Sequence, residues 1–382
     1  VSAAAAGQTP AVVHVVGVRP NYVKVSAVLR AAERQGGLKN LLVDTGQHYD
    51  ASLRGDLYRD LGLREPDLYL GIGSGTHSQQ TAAIMVAFEA ALGRLCPDAV
   101  VVFGDVNSTL ACALVASKMG VPLAHVEAGL RCFDRSVPEE INRVVVDGLA
   151  DLLFAPSPDA VDNLLREGAP PDRVHLVGNV MVDALRQALP QALRQGTCER
   201  LGLPPGAYAL LTLHRPCNVD QDGPLLRILE AIAVLQQELP ILFPMHPRTA
   251  ARMEVSGLGA RLRSLPGVRV VPPLGYLDFL CLQARARLIL TDSGGVQEES
   301  SVLGVPCVTL LERTERPVTV SLGTNHLAGA APEQILGASR LALGRERRPI
   351  VLDGWDGAAG PRVVDHLVRW LTAGEARRVP GR

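Results

Sequence analysis

Val101-Val-Phe-Gly-Asp105 decides the fold: an apolar run ends in a glycine and a carboxylate, a helix-length segment follows, and Gly120-Val-Pro122 leads into another apolar run. Leu288-Ile-Leu-Thr-Asp292 repeats the arrangement, again through a helix-length segment, to Gly304-Val-Pro306 and a further apolar run. Short continuous apolar runs read as strands covered on both faces, and the helix-length segments between them supply the crossovers of a parallel sheet. One doubly wound design therefore occurs twice.

Working outward, the first half carries strand signals at 12–16, 40–44, 99–103, 122–126 and 152–155, and the second at 208–213, 241–244, 268–271, 288–290 and 307–310. A helix at 181–198 and the turn Leu203-Pro-Pro-Gly206 separate the halves, since two prolines cannot continue a helix. The expected organisation is a first domain over 1–180, a second over 181–361, and a C-terminal helix within 362–382 that packs back on the first. Ligands of such sheets sit beyond the carboxyl ends of the strands, so the fold class expected is α/β, two doubly wound domains facing a central cleft.

Length agrees, because 382 residues at ~150 per domain favour two domains over one. With 47% hydrophobic and 20% charged residues the chain is too apolar for disorder. Thirty-eight basic against 39 acidic residues, spread along the chain, leave no footprint for nucleic acid. No run of ~20 apolar residues is present to span a membrane, and Val1 to Ala6 has neither a basic leader nor a signal-length apolar stretch, so a cytoplasmic location is expected. The seven cysteines form no Cys-x-x-Cys pair and the nine histidines no His-x-x-x-His, so neither a disulfide framework nor a metal site is expected.

Several motifs fall at strand ends. Asp292-Ser-Gly-Gly295 opens a helix, where free N–H groups and the helix dipole suit phosphate; the alternative is an ordinary N-cap by Asp292 or Ser293. Glu299, one turn inside, suits a ribose diol or is a solvated carboxylate. Gly17-Val-Arg-Pro-Asn-Tyr-Val-Lys24 puts Arg19 and Lys24 at the mouth of the first sheet, as diphosphate ligands or as exposed strand-end cations. Asp105, Glu127 and Glu139 form an acidic set suited to proton transfer or to a developing cation; the alternatives are helix capping by Asp105 and a favourable helix-terminus charge at Glu139. His214 and His246 each follow a strand, near a ligand or satisfied within the structure. Gly71-Ile-Gly-Ser-Gly75 lacks the third glycine and the acidic partner of a dinucleotide site, so no nicotinamide cofactor is expected.

Taken in order, Gly17-Val-Arg-Pro20 with Lys24, Thr45-Gly-Gln-His48, Gly104-Asp105, His125-Val-Glu-Ala-Gly-Leu-Arg131, Pro138-Glu-Glu-Ile-Asn-Arg143, His214-Arg215, Asp292 to Glu299 and Glu315-Arg-Pro317 resemble the non-hydrolysing UDP-N-acetylglucosamine 2-epimerases. The resemblance runs from about Val12 to the last helix and implies the glycosyltransferase-B arrangement of two Rossmann-like domains. It implies reversible conversion of UDP-N-acetylglucosamine to UDP-N-acetylmannosamine through UDP and 2-acetamidoglucal, with no cofactor, in a homodimer. It also implies Asp105, Glu127, Glu139 and His214 as catalytic groups. Arg19, Lys24, Arg143, Phe279, Ser293, Gly294, Gly295, Glu299 and Arg316 are the substrate ligands it implies.

Departures accompany the matches. Asn21, Cys217 and Val318 stand where Glu is usual, and Leu352-Asp-Gly-Trp-Asp-Gly357 replaces a frequent Asn-Pro-Tyr-Gly-Asp-Gly. Asp50 stands where a second Gln is expected, and no Lys or Arg lies between Glu65 and Arg94, so allosteric activation by a second substrate molecule is expected to be weak or absent. The rival readings are a hydrolysing 2-epimerase, a glycosyltransferase of the same fold and a catalytically silent nucleotide-sugar binder.

Overall fold

The computed structural model describes residues 9–47 and 51–373, without the side chains of 51–54 and 56. The chain forms two compact units, Val1–Ala184 with Leu352–Arg382, and Leu185–Val351. The sequence-based divisions after 180 and 361 fall at the start of one helix, Val180–Arg194, and in the first turn of another, Ala359–Thr372.

Unit 1 is a parallel sheet of β1 (Ala11–Val16), β2 (Lys39–Asp44), β3 (Leu68–Tyr69), β4 (Ala99–Phe103), β5 (Leu123–Val126), β6 (Leu152–Ala155) and β7 (Val174–Leu176), in the order β3-β2-β1-β4-β5-β6-β7. Its centre is β4, a run of Ala, three Val and Phe buried on both faces. Val13, Val15, Val100 and Val102 meet Ile84, Phe88, Ala111 and Val146 in one core cluster. The chain winds outward from β1 to β3, then returns to the other side of β1 to start β4. The order therefore reverses between β1 and β4, and the carboxyl ends of this pair are where a doubly wound sheet leaves room for a ligand.

Unit 2 contains β8 (Ala209–Thr212), β9 (Ile241–Pro244), β10 (Val268–Val271), β11 (Leu288–Thr291), β12 (Cys307–Thr309) and β13 (Asn325–Leu327), in the order β10-β9-β8-β11-β12-β13. Its reversal falls between β8 and β11, whose ends are followed by His214 and Asp292. The two apolar runs quoted first are thus the equivalent central strands β4 and β11.

The strands at β3, β7 and β13 gave no sequence signal, because two or three residues are too few to show alternation. The helix expected at 181–198 stops at Arg194; Gly196 turns the chain left-handed at φ 65° before a short helix, Thr197–Arg200. The helix Ala359–Thr372 packs on the helix Arg19–Gln35 within unit 1, where a Cβ on Gly360 would lie 2.8 Å from the Ala27 carbonyl oxygen. No described helix is long and apolar enough to cross a membrane.

Candidate active site

In unit 1 the site grows from two neighbouring strand ends. Phe103 of β4 pairs with Val126 of β5, so Asp105 and Glu127 leave adjacent strands within two residues of the register. Gly104 turns the chain at φ 66°, and a Cβ there would lie 2.7 Å from Lys24 Nζ and 3.0 Å from Glu127 Oε2. Only a glycine lets the strand end approach the Lys24–Glu127 ion pair so closely. Both partners of that pair are buried. Glu127 itself holds φ 77°, a left-handed conformation that costs a non-glycine residue about 1 kcal/mol or more and is typical of functional turns.

Asp105 does not cap its helix. The N-cap position of the helix Asn107–Lys118 belongs to Val106 and has no side-chain cap, while the Asp105 carboxylate takes an Arg143 hydrogen bond at 2.5 Å. Asn142 Nδ2 donates to the Asp105 carbonyl at 2.7 Å, adding a second tie from the same helix, Pro138–Leu149. Arg143 also donates to Glu140 at 2.9 Å, and Glu140 accepts from the Cys132 and Phe133 amides at 3.0 and 2.8 Å. Glu139 lies half-buried in the first turn of that helix. Asn21, in place of the usual Glu, donates to the Phe103 carbonyl at 2.8 Å. Arg19 begins the helix that follows β1. Unit 1 thus gathers Arg19, Lys24, Asp105, Glu127, Glu139 and Arg143 at the carboxyl end of its sheet.

Unit 2 gathers a second set. Asp292 is fully buried and does not cap its helix either. Its carboxylate accepts from the His214 amide at 3.0 Å, the Arg215 amide at 2.9 Å and Asn218 Nδ2 at 3.2 Å, and it sits 3.0 Å from His214 Nδ1. Burial pushes its acidity down, but the His214 ring and these amides outweigh burial and hold the carboxyl below its usual range. An ionised Asp292 makes Nδ1 the donor and directs His214 Nε2 away from it. The sequence marked Asp292 as the start of a phosphate-suited turn or as a helix cap, without a partner; its neighbour in space, His214, is 78 positions away.

The helix Gly294–Leu303 begins at Ser293, whose side chain makes no cap hydrogen bond; a helix N-terminus is the end that favours an anion. A Cβ on Gly294 would lie 2.3 Å from Arg316 Nη1. Arg316 is buried between Glu315, at 2.5 Å, and Glu298, at 2.8 Å, and Glu315 also takes Arg215 at 2.7 Å. Arg316 therefore lies against the glycine turn in a carboxylate network. Glu299 is buried, taking Gln283 Nε2 at 2.6 Å and the Tyr276 hydroxyl at 3.3 Å. Phe279 is half-buried on the helix that supplies both donors, Tyr276–Arg285.

Among the other sequence candidates, His246 lies beside His214, with ring centroids 5.9 Å apart. His246 N-caps the helix Pro247–Val255, accepting from the Arg248 amide at 3.2 Å. Gly71 to Gly75 form a loop before the helix His77–Leu95, whose N-cap is Thr76. Gln47 accepts from the Ser108 amide at 3.0 Å, whereas His48 and Asp50 lie outside the described residues. Cys217 is exposed on the short helix Pro216–Val219. No group of three His, Cys, Asp or Glu suited to a metal ion occurs among the described residues.

The UDP-N-acetylglucosamine 2-epimerase family model matches residues 30–368. The UDP-N-acetylglucosamine 2-epimerase of Methanocaldococcus jannaschii is 42% identical over 367 residues, 94% of this chain and 98% of its own. Its crystal structure in complex with UDP-GlcNAc and UDP covers 94% of this chain and 99% of its own with a TM-score of 0.89. The Neisseria meningitidis enzyme bound to UDP-GlcNAc, at 27% identity, has a TM-score of 0.85 over 94% of this chain and all of its own. A Pseudomonas aeruginosa UDP-2,3-diacetamido-2,3-dideoxy-D-glucuronate 2-epimerase is 40% identical over 361 residues, 93% of this chain and 98% of its own. With two doubly wound units of glycosyltransferase-B type and a match along most of its length, the chain belongs to the UDP-N-acetylglucosamine 2-epimerase family.

Proposed function

We propose that the protein interconverts UDP-N-acetylglucosamine and UDP-N-acetylmannosamine without hydrolysis, as a cytoplasmic homodimer that needs neither metal nor nicotinamide. The observation that carries this reading is the pair Asp105 and Glu127 at the ends of adjacent central strands, each held by its own cation, Arg143 or Lys24. The chemical obstacle is C2–H, which is scarcely acidic in the bound sugar. Heterolysis of the C1–O bond sends its electron pair to the β-phosphate oxygen of UDP and leaves an oxocarbenium-like C1. C2–H then becomes acidic, a carboxylate takes its proton, and the C–H electron pair forms the C1–C2 double bond of 2-acetamidoglucal. A proton returned to the other face of C2, with attack of UDP on C1, gives the epimer.

Asp105, Glu127 and Glu139 supply the proton chemistry and offset positive charge at the ring. Arg143 and Lys24 act through Asp105 and Glu127, holding these side chains in place by ion pairs. His214, Ser293, Gly294, Gly295 and Arg19 grip the departing diphosphate, Arg316 supports the glycine turn, Glu299 takes the ribose hydroxyls and Phe279 borders the uracil. A second reading, a 2,3-diacetamido glucuronate as the sugar, is favoured by the Pseudomonas relative at 40% identity.

Incubation with each UDP-sugar in D₂O, followed at C2 by NMR, tests the reaction. Deuterium in intact UDP-sugar is expected; free sugar would mark a hydrolase, and no exchange with either sugar a transferase or a silent binder. Asp105→Asn, Glu127→Gln and His214→Ala should each retain the wild-type circular dichroism and lose ~10²- to 10³-fold in turnover.

A further inference from the structure

His125, in the motif His125-Val-Glu-Ala-Gly-Leu-Arg131, has no part in the chemistry above, yet its ring is wholly buried between two polar groups. Nδ1 lies 2.6 Å from Asp147 Oδ1, and Nε2 lies 2.8 Å from the Gly104 carbonyl oxygen. The other Asp147 oxygen accepts from the Gly129 amide at 3.0 Å and pairs with Arg131 at 2.7 Å. Arg131 in turn holds Glu167 through bonds of 2.9 and 2.6 Å.

The ring therefore bridges a backbone carbonyl, which only accepts, and a carboxylate that burial alone would neutralise but that His125 and Arg131 hold below its usual range.

We infer that His125 pins the Gly104 carbonyl to Asp147 and serves as a positioning residue for Asp105 and Glu127. Gly104 immediately precedes Asp105, and its amide donates to Val126, the residue before Glu127, at 3.0 Å. The ring thus ties both candidate catalytic turns to the helix that carries Asp147 and Arg143. The inference rests on the epimerase reading.

His125→Gln and Asp147→Asn should lower kcat for C2 exchange ~10²-fold, while calorimetric UDP affinity, which reads the nucleotide grip, stays within about twofold. Wild-type kcat in either folded variant would refute the positioning role, whereas a wild-type enzyme inert toward both UDP-sugars would defeat the epimerase reading on which that role rests.

Discussion

Gly294 shows how one hydrogen atom sets how closely a guanidinium approaches a helix start in the candidate site. Alanine is the better helix former by ~1 kcal/mol, which alone would make Gly294→Ala stabilising. The added Cβ would instead meet the Arg316 guanidinium at 2.3 and 2.7 Å, and Arg316 is held by two carboxylates with little room to retreat. Displacing a buried ion pair costs more than the helix gains. Gly294→Ala is therefore expected to weaken UDP at least ~10-fold, about 1.4 kcal/mol, by calorimetry; unchanged affinity would separate the Arg316 network from nucleotide binding. The residue types at this site were legible in the sequence, but their partners were not. Asp105 and Asp292 both read as possible caps, and both engage side chains or amides from distant positions instead.

Among the elements, the helix Ala359–Thr372 has the longest sequence separation from what it packs on. Its first amides, Ala359 and Gly360, donate to Asp183 at 3.1 and 2.8 Å, so the end of the chain is capped by a residue far upstream. Trp355 Nε1 donates to the Pro156 carbonyl at 2.9 Å just before it. Asp183→Ala removes the cap without touching the candidate site. It should lower unfolding stability by ~1–2 kcal/mol and speed amide hydrogen exchange selectively across residues 359–372. Uniform exchange throughout unit 1 would mean that the helix is held chiefly by its apolar face. Sequence amphipathicity marked this helix and suggested that it returns to the first domain; Asp183, silent as a motif, is the contact that fixes its start.

For the whole molecule, acid sensitivity follows from histidines kept neutral. His14 is wholly buried on β1, and burial drops its pKa from 6.5 to about 4. His175 also falls to about 4, through burial and the His366 ring stacked on it at 4.1 Å. The unfolded chain binds these protons near 6.5 and the folded chain does not, so stability is complete above pH 6.5 and is lost as pH falls toward 4. For His14 the loss is on the order of 3 kcal/mol, and for the half-exposed His175 it is smaller. Urea midpoints at pH 7.5, 5.5 and 4.5 should fall in the wild type and fall less in His14→Leu; parallel declines would assign the acid limb to other groups.

By itself the sequence determined the class of the fold and its twofold construction, because a buried parallel strand requires a continuous apolar run and a crossover requires a helix. It also placed Asp105, Glu127, His214 and Ser293 at strand ends, since local patterning locates where strands stop. Only the tertiary structure decided which charges those groups meet: Lys24 with Glu127, Arg143 with Asp105, Asp292 with His214, and His125 between Gly104 and Asp147. The reason is physical. Strand and helix signals are carried by neighbours in the chain, whereas a buried charge is satisfied by whatever the winding of the sheet brings within hydrogen-bond reach.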